Sequence, residues 1–506
     1  MKFKIKELPL RTEKFSIILN QVDADELGLL PGDRVKVIIG KSSFIAEVEI
    51  ATEMIEGGVA GICSFTAESC SIDGTCEVEI IPVPKPNSVE YIKKKLDGFK
   101  YSKQEVKEII ADISNNVLSE IEMTAFILAN EIIGMDYNEI QWMIEAMVEN
   151  GERAVFEKGI VVDKHSIGGI PGSKDSLLIV PTVAASGLLI PKTASRAITS
   201  ASGTADTMEV LADVNLSIDE IKEITEKVGG VIAWSGSAKI APADDKIIRV
   251  EHQLEISPKP HIISSLLSKK VATDVKFVVI DIPIGEGAKV ENLDLGRSFA
   301  NDFVEIGRRL GLRVGATITD GSQPIGKSVG PALEAREALI AMERKDGPRS
   351  LLEKSFGIAG ILLEMAGVTT NGYEYAKRLF EKEKTLEKFK EIIEAQGGDA
   401  NVRADDIPIG DKTYTLKSAS EGFVRDINIR AINEIARAAG APKDKGAGVY
   451  IHKKKGEVVK VGDPLITIYA EKEWKLDNAI EIARLESPIV VSGMVLEVYG
   501  KRGVSL

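Results

Sequence analysis

Cysteine, histidine and tryptophan are scarce in this 506-residue chain, which contains three, four and three of them respectively. The cysteines, Cys63, Cys70 and Cys76, lie together near the N-terminus and far from any histidine. A zinc site would need a fourth ligand nearby, and a disulfide-stabilised domain would have a denser set of cysteines. We therefore expect free thiols, no metal ion, no cofactor and a reducing, cytoplasmic setting.

Long hydrophobic runs and excess positive charge are also missing. The most apolar window, 177–190, is interrupted by Pro181 and is too short to span a bilayer. No apolar run follows the first residues as it would in a signal peptide. The net charge of −13 argues against nucleic acid or an anionic membrane as the main partner, since both bind basic surfaces. A phosphate site would be a local basic island in an acidic protein.

The chain is too long for one core, and its patterning predicts four domains of an α/β protein. Short runs of alternating apolar and polar residues in 1–84 indicate an N-terminal β-rich domain. A proline-rich linker at 82–86 marks its end. Residues 88–155 and 240–272 are predicted to form a helical domain. Strand and helix signals alternate in 156–239 and 273–420, which predicts a large α/β phosphate-binding domain with a mostly parallel sheet. Residues 421–506 are predicted to form a small C-terminal α+β domain.

Two loops rich in Gly and Ser flank a short apolar helix and carry most of the chemical information. The first is 164–169, directly after a predicted strand at 158–163, and the second is 194–206. Glycines let backbone amides approach a ligand, hydroxyls donate hydrogen bonds, and each loop adds one cationic side chain. Because ligands of open α/β sheets bind beyond the carboxyl ends of strands, we expect a site for phosphate and a second polar ligand here.

The side chains of the two loops permit a functional and a structural interpretation. Lys164 could neutralise a phosphate dianion, and the hydroxyls of Ser166, Ser176 and Thr204 could donate to it. Alternatively, the glycines only make turns and the hydroxyls only cap helices. His165 could be a hydrogen-bonding spacer, or it could titrate near neutral pH or orient the phosphate. We favour a catalytic His165.

The motifs resemble those of the thymidine and pyrimidine-nucleoside phosphorylase family. The resemblance extends over roughly residues 88–506 and rests on 163–169, on the second loop and on 241–244. The second loop follows the family signature Ser-Gly-Arg-Gly/Ala…Gly-Thr-x-Asp-x-x-Glu at Arg196, Gly203, Thr204, Asp206 and Glu209. It departs from that signature at 194–195 and at 202. Within the family, the extra N-terminal domain and the loop 166–172 are most similar to archaeal AMP phosphorylases.

This resemblance implies phosphorolysis of a nucleoside 5′-monophosphate to free base and ribose 1,5-bisphosphate, in AMP catabolism and nucleotide salvage. It implies that the attacking phosphate is bound by Lys164, Ser166, Ser176 and Thr204. It implies that the nucleotide is contacted by Gly169, Ser195, Arg196, Ala197, Ile198, Thr199, Ser200, Thr204, Ser265, Lys269 and Lys289. The hydroxyl-dense run 199–202 could bind a second phosphate, which favours a nucleotide over a nucleoside.

Two positions depart from the family pattern. Val250 stands where thymidine phosphorylases have a base-contacting Arg, which makes thymine recognition unexpected, although Arg249 is adjacent. Ser257 stands where AMP phosphorylases have a proton-donating Asp, and a Ser is not a comparable general acid. Either Glu251, Glu255, His252 or a water protonates the base, or the base preference differs from adenine.

Several interpretations of the function stay open. Besides AMP, the substrates could include CMP and UMP. Alternatives are a pyrimidine-nucleoside (thymidine) phosphorylase, a relative of anthranilate phosphoribosyltransferase, which would need Mg²⁺ ligands, and a non-catalytic nucleotide-binding module. A homodimer or larger homo-oligomer is expected.

Overall fold

The computed structural model describes residues 1–10, 12, 14–70, 72, 76–197 and 200–493. The chain divides into two compact units. The first contains Met1–Asn150 and Pro242–Ser264, and the second contains Gly151–Ala241 and Ser265–Leu506. Over the described ranges, no helix is both long enough and apolar enough to cross a membrane.

The first unit begins with a closed six-stranded barrel in the strand order β1-β5-β2-β4-β3-β6. Alternate residues such as Phe3, Ile5, Val35 and Val37 point into its core, as the period-two pattern predicts. The strands are β1 (Lys2–Leu8), β2 (Ser16–Asn20), β3 (Arg34–Ile39), β4 (Ser42–Ala51), β5 (Val59–Cys63) and β6 (Glu77–Pro82). Two short helices, α1 (Gln21–Leu27) and α2 (Ser64–Cys70), lie between strands.

A helical bundle follows in the same unit. Three of its helices begin with capping boxes, in which Ser102, Ser119 and Asp136 pair with a Glu three residues later. Their apolar faces pack around Phe126 and Met143. The helices are α3 (Asn87–Leu96), α4 (Lys103–Ser114), α5 (Glu120–Ile132), α6 (Tyr137–Glu149) and, later in the chain, α10 (Pro242–Leu254) and the first residues of α11 (Lys259–Ala272).

The second unit is built on parallel strands. These are β7 (Val162–Ser166), β8 (Ile190–Ala194), β9 (Gly230–Trp234), β10 (Phe277–Ile284) and β11 (Arg313–Asp320). The order β11-β10-β7 forms one parallel group and β8-β9 another, and a parallel bridge between Val161 and Leu189 connects them. Helices cover the strands: α7 (Ser176–Ala184), α8 (Thr204–Met208), α9 (Ile218–Val228), α12 (Leu293–Arg309), α13 (Pro331–Arg344), α14 (Arg349–Met365), α15 (Gly372–Glu381) and α16 (Lys384–Ala395).

Antiparallel strands return at the C-terminal end. Two sheets have the orders β12-β15-β17-β13 and β16-β14-β18. Their elements are β12 (Ser328–Val329), β13 (Lys412–Lys417), β14 (Gly422–Ile427), α17 (Ile429–Ala438), β15 (Gly448–Ile451), β16 (Val458–Val459), β17 (Pro464–Ala470), α18 (Glu473–Leu485) and β18 (Ile489–Ser492). The predicted fold class is confirmed, while the limits of the four domains stay a prediction.

Candidate active site

The first of the two predicted Gly- and Ser-rich loops begins within strand β7. The prediction that the strand ends at 163 is wrong, because pairing with β10 continues as far as Ser166 opposite Asp281. Lys164, His165 and Ser166 therefore lie within the strand instead of beyond its end.

Two buried ion pairs fix lysines beside this strand. The Nζ atom of Lys164 lies 2.7 Å from Oδ2 of Asp175, which immediately precedes α7. Lys270 of α11 pairs with Asp163 of β7. All four side chains are buried, and burying such charges is tolerable only when each has a partner. The carboxylates thus hold two cationic groups in defined positions inside the protein.

The imidazole of His165 is surrounded by positive charge. Burial lowers the pKa of His165 well below its usual value, and Lys192, Lys270, Lys269 and Lys164 lower it further. The ring is therefore neutral at physiological pH. Its Nδ1 atom is sealed from solvent and has no hydrogen-bond partner among the described residues. An anion bound here would give this buried nitrogen the hydrogen-bond partner that it lacks and would balance the charge of the four lysines.

Unpartnered hydroxyls occur in the same part of the fold. The Oγ of Ser176 is buried without a hydrogen bond to any described residue, as is Oγ1 of Thr193 in β8. Ser176 is the first residue of α7, where the helix dipole favours an anion. Ser166, in contrast, accepts a hydrogen bond from the Gly168 amide at 3.3 Å and so helps to shape the glycine turn. Ser166 thus fits the structural interpretation as well as the functional one.

The second loop closes on itself around Asp206. This carboxylate accepts hydrogen bonds from the amides of Ala197 at 2.6 Å and Gly203 at 3.0 Å. A Cβ atom at Gly203 would lie 2.7 Å from the carbonyl oxygen of Ser195, so only glycine allows this approach. Thr204 follows directly and begins α8.

The guanidinium of Arg196 is engaged within the protein. It donates to Glu209 at 2.8 and 2.5 Å and to Oδ1 of Asn215 at 3.0 Å, and it stacks 4.9 Å from the ring centre of Trp234. Lys445 pairs with the same Glu209. These contacts make Arg196 a support of the loop, and its contact with the nucleotide stays a prediction.

Helix α17 contacts the middle of the loop. The Ala201 amide donates to Oδ1 of Asn433 at 3.2 Å, and Arg437 donates to the Ser200 carbonyl at 3.3 Å. Two of the predicted nucleotide-binding residues, Ile198 and Thr199, lie outside the described residues.

Three more predicted residues lie in the second unit. Lys269 of α11 donates to Oγ of Ser265 at 3.1 Å, and its charge also acts on His165. Lys289 lies against Gly169, whose φ is +92°, and a Cβ atom at Gly169 would be 3.1 Å from Cγ of Lys289. The structure therefore brings Lys269 together with Lys164 and His165, and Lys289 together with Gly169.

The candidates for proton donation lie in the first unit. Glu251 is buried and contacts Nδ1 of His261 at 2.6 Å, while Nε2 of His261 contacts Asn130 at 2.9 Å. Glu251 thus already has a partner in its own unit. Ser257 is exposed in the segment that precedes α11, and Glu255 beside it is exposed with a φ of +54°.

Sequence reasoning missed two lysines that come from outside the two loops, Lys192 and Lys270. Lys192, in β8, is buried and influences His165 more than any other charge. Its signal was a single charged residue in the apolar strand Ile190–Ala194. Lys270 gave no such signal, because its partner is 107 residues away in the chain. In the part of the chain that the structure describes, no group of three His, Cys, Asp or Glu residues could hold a metal ion.

Family comparisons match three consecutive parts of the chain. Residues 89–151 match the helical bundle domain of the glycosyl transferase family, and 158–381 match the a/b domain of that family. Residues 423–490 match the pyrimidine nucleoside phosphorylase C-terminal domain. In fold, the chain is similar to an anthranilate phosphoribosyltransferase from Thermus thermophilus, with a TM-score of 0.52 and 18% identity over 61% of this chain and 99% of that one.

Curated relatives match almost the whole length. AMP phosphorylase 2 of Archaeoglobus fulgidus is 67% identical over 500 residues, which is 99% of each chain. The AMP phosphorylase of Thermococcus kodakarensis is 49% identical over 502 residues, covering 99% of this chain and 100% of its own. These identities, with the loops described above, confirm the resemblance: the chain belongs to the AMP phosphorylases of the pyrimidine-nucleoside phosphorylase family.

Proposed function

We propose that this protein is a pentosyltransferase that cleaves AMP by phosphorolysis. Inorganic phosphate would displace adenine from C1′ of the ribose and leave ribose 1,5-bisphosphate. The full-length similarity to proteins named AMP phosphorylase supports this reaction. CMP and UMP are proposed as further substrates.

The observation that carries the proposal is the positive cluster around β7. Lys164, Lys192, Lys269 and Lys270 all lower the pKa of His165, after burial as the largest cause. Such a concentration of buried cationic groups in a protein of net charge −13 fits a bound dianion. Unpartnered atoms of His165 and Ser176 offer it hydrogen bonds.

This environment suits attack by phosphate on a nucleotide. Cleavage of the N-glycosidic bond builds positive charge on the ribose, and a phosphate dianion held beside C1′ stabilises that charge as it attacks. We propose that Lys164, Ser166, Ser176 and Thr204 bind this phosphate, with neutral His165 orienting it. Gly169, 195–200, Ser265, Lys269 and Lys289 would then contact the nucleotide.

The test is a set of reactions with AMP, with and without inorganic phosphate. Adenine is measured by chromatography and ribose 1,5-bisphosphate by phosphorus NMR. We expect both products only when phosphate is present, and much slower reaction with adenosine. Lys227→Met, at an exposed position of α9, is the control variant and should react normally. Adenine release that does not depend on phosphate would contradict the proposal.

Phosphorolysis of pyrimidine nucleosides is the second candidate. Ser257 favours it, because the departure of a pyrimidine relies less on ring-nitrogen protonation than the departure of adenine. Assays with uridine and thymidine beside AMP, CMP and UMP separate the two functions. Faster turnover of the nucleosides than of the monophosphates would favour this second candidate.

We further propose a cytoplasmic homodimer or larger homo-oligomer that needs no cofactor. Sedimentation measurements on the purified protein test the oligomeric state, and activity after treatment with a chelator tests whether a metal ion is needed.

A further inference from the structure

A second buried group of charges lies in the same unit as the pair of Lys164 and Asp175. Oδ2 of Asp281, in β10, is 2.7 Å from Nζ of Lys354, in α14, and the two side chains are 0% and 7% exposed. Thr319 of β11 donates to Oδ1 of Asp281 at 2.6 Å and accepts a hydrogen bond from Lys354 at 3.1 Å. A carboxylate, a hydroxyl and an ammonium group from three elements thus contact one another and fix the position of Lys354.

The backbone of Asp281 supports the strand that carries the first loop. In the pairing of β10 with β7, Asp281 lies opposite Ser166. Its carbonyl oxygen accepts a hydrogen bond from the amide of Ile167 at 3.0 Å. Asp281 therefore connects α14, through its side chain, to the end of β7, through its main chain.

Asp175 connects this group of charges to Lys164. Its Oδ2 atom contacts Lys164, and its Oδ1 atom is buried without a hydrogen bond to any described residue. Burial raises the pKa of Asp175, but the charges of Lys164 and then Lys354 oppose that shift, and the pKa lies below its usual value. Lys354 is therefore close enough to Asp175 to stabilise the ionised carboxylate.

Capping of α7 does not account for the carboxylate of Asp175. An Asp that precedes a helix commonly accepts hydrogen bonds from the amides of the first turn. Asp175 occupies this position before α7, and its side chain makes no such hydrogen bond. The carboxylate serves the lysines instead of the helix backbone.

The four charges alternate in the order Lys164, Asp175, Lys354 and Asp281. A carboxylate that had Lys164 as its only cationic neighbour would cancel most of the attraction of that lysine for a dianion. Because Lys354 shares the negative charge of Asp175, Lys164 retains more of its attraction. Asp281 in turn makes the burial of Lys354 tolerable, since a buried ammonium group needs a partner.

We propose that Lys354 and Asp281 are positioning residues for phosphorolysis. Asp281 holds Lys354, Lys354 shares the carboxylate of Asp175, and Asp175 holds the ammonium group of Lys164 at the place where inorganic phosphate binds. Lys354 and Asp281 themselves do not contact the phosphate. The part that Lys164 plays in this arrangement rests on the proposed function.

Anion binding and kinetics of Lys354 variants test the proposal. Sulfate, a tetrahedral dianion like phosphate, is titrated calorimetrically. In Lys354→Met, sulfate affinity should fall and KM for phosphate should rise by roughly 10- to 100-fold, the range for losing a group that orients a metal ligand. KM for AMP should change little. Lys354→Arg retains the charge and should recover most of the affinity.

A double variant separates this role from stability. Lys354→Met leaves Asp281 buried without its cation and should melt at a lower temperature. Lys354→Met/Asp281→Asn should recover most of that loss, because no unpaired charge remains and the Asn oxygen can still accept the hydrogen bond from Thr319. The double variant should nevertheless bind sulfate as weakly as Lys354→Met, since Asp175 still lacks its second cation.

The ion pair of Lys95 and Glu139 provides a matched control in the first unit. Its atoms are also 2.7 Å apart, and both side chains are 2% exposed. Lys95→Met/Glu139→Gln removes a buried pair of the same kind without changing any charge near Lys164. This variant should bind sulfate and phosphate as the wild type does, whatever its melting temperature.

Three results would decide against one or the other proposal. Unchanged sulfate affinity and KM for phosphate in Lys354→Met and in the double variant would make the role of Lys354 purely structural and overturn the inference. An equal loss of affinity in Lys95→Met/Glu139→Gln would overturn it too. A wild-type protein that does not cleave AMP, but binds sulfate in a way that depends on Lys354, would refute the proposed function and leave the positioning role intact.

Discussion

Lys164 and Asp175 form a salt bridge whose side chains are only 3% and 1% exposed. We predict that Lys164→Met abolishes phosphorolysis and also destabilises the protein. The variant removes a cation from the phosphate site and leaves Asp175 buried and unpaired, which costs about 3–5 kcal/mol. Urea unfolding and initial rates at saturating phosphate measure the two effects.

The double variant Lys164→Met/Asp175→Asn separates stability from chemistry. Removing both charges should recover most of the lost stability, because no unpaired charge remains. Activity should stay absent. If the double variant regained activity, Lys164 would be only a structural partner of Asp175.

Ser257 leads to a prediction about the choice of base. If an Asp here protonates departing adenine, Ser257→Asp should raise the rate with AMP roughly 100-fold, the lower end for a positioned general acid. The rate with CMP should change far less. Initial rates on both nucleotides test this, and equal effects on the two would contradict the argument from the leaving group.

Glu251 offers the competing explanation for adenine departure. Its contact with His261 at 2.6 Å gives it a structural role, so Glu251→Gln should lower the melting temperature whichever group donates the proton. A selective loss of AMP turnover in Glu251→Gln, with normal stability, would make Glu251 the acid. Glu255→Gln provides the same comparison at an exposed neighbour.

The conformation of the second loop depends on the carboxylate of Glu209. Hydrogen bonds from Arg196 lower the pKa of Glu209 from 4.5 to about 2 against the effect of burial, and Lys445 adds to the lowering. Because the folded value lies below the unfolded one, this group stabilises the protein above about pH 4.5. That contribution is lost as the pH falls towards 2.

We therefore predict that Glu209→Gln lowers the free energy of unfolding at pH 7 and that its difference from the wild type narrows below pH 4.5. Urea titrations between pH 7 and 3 measure this. Since Glu209 holds Arg196 and so the loop, KM for AMP should rise as well. A constant stability difference across the range would mean that the pKa of Glu209 is the same in the folded and the unfolded protein.

The sequence predicted the secondary structure near the site better than the long-range contacts that its residues make. Local signals identified the glycine loops and the helix between them, because glycine, hydroxyl and apolar patterns are short-range. Strand β7 begins four residues later and ends three residues later than predicted, since its pairing with β10 depends on residues more than 100 positions away. Lys192 and Lys270 were missed for the same reason. The role of a charged residue in a buried strand or helix depends on neighbours that are distant in the sequence.

At the scale of the whole molecule, the barrel of residues 2–82 can be tested by deletion. We predict that a protein lacking residues 1–84 folds and retains phosphorolysis, because the loops described above lie in the second unit. We also predict a smaller oligomer, as a domain without evident chemistry often supplies an association surface. Light scattering and activity assays measure both, and an unchanged oligomer would rule out the assembly role.

The closure of that barrel has a consequence for how it can associate. β1 pairs with both β5 and β6, and each of the other strands also has two partners, so none of the six strands has a free edge. A second copy therefore cannot attach by extending the sheet with its own backbone. We therefore predict that any association through the barrel depends on side chains of its outer surface, so that surface substitutions weaken it, and that the isolated barrel resists fibrillar aggregation.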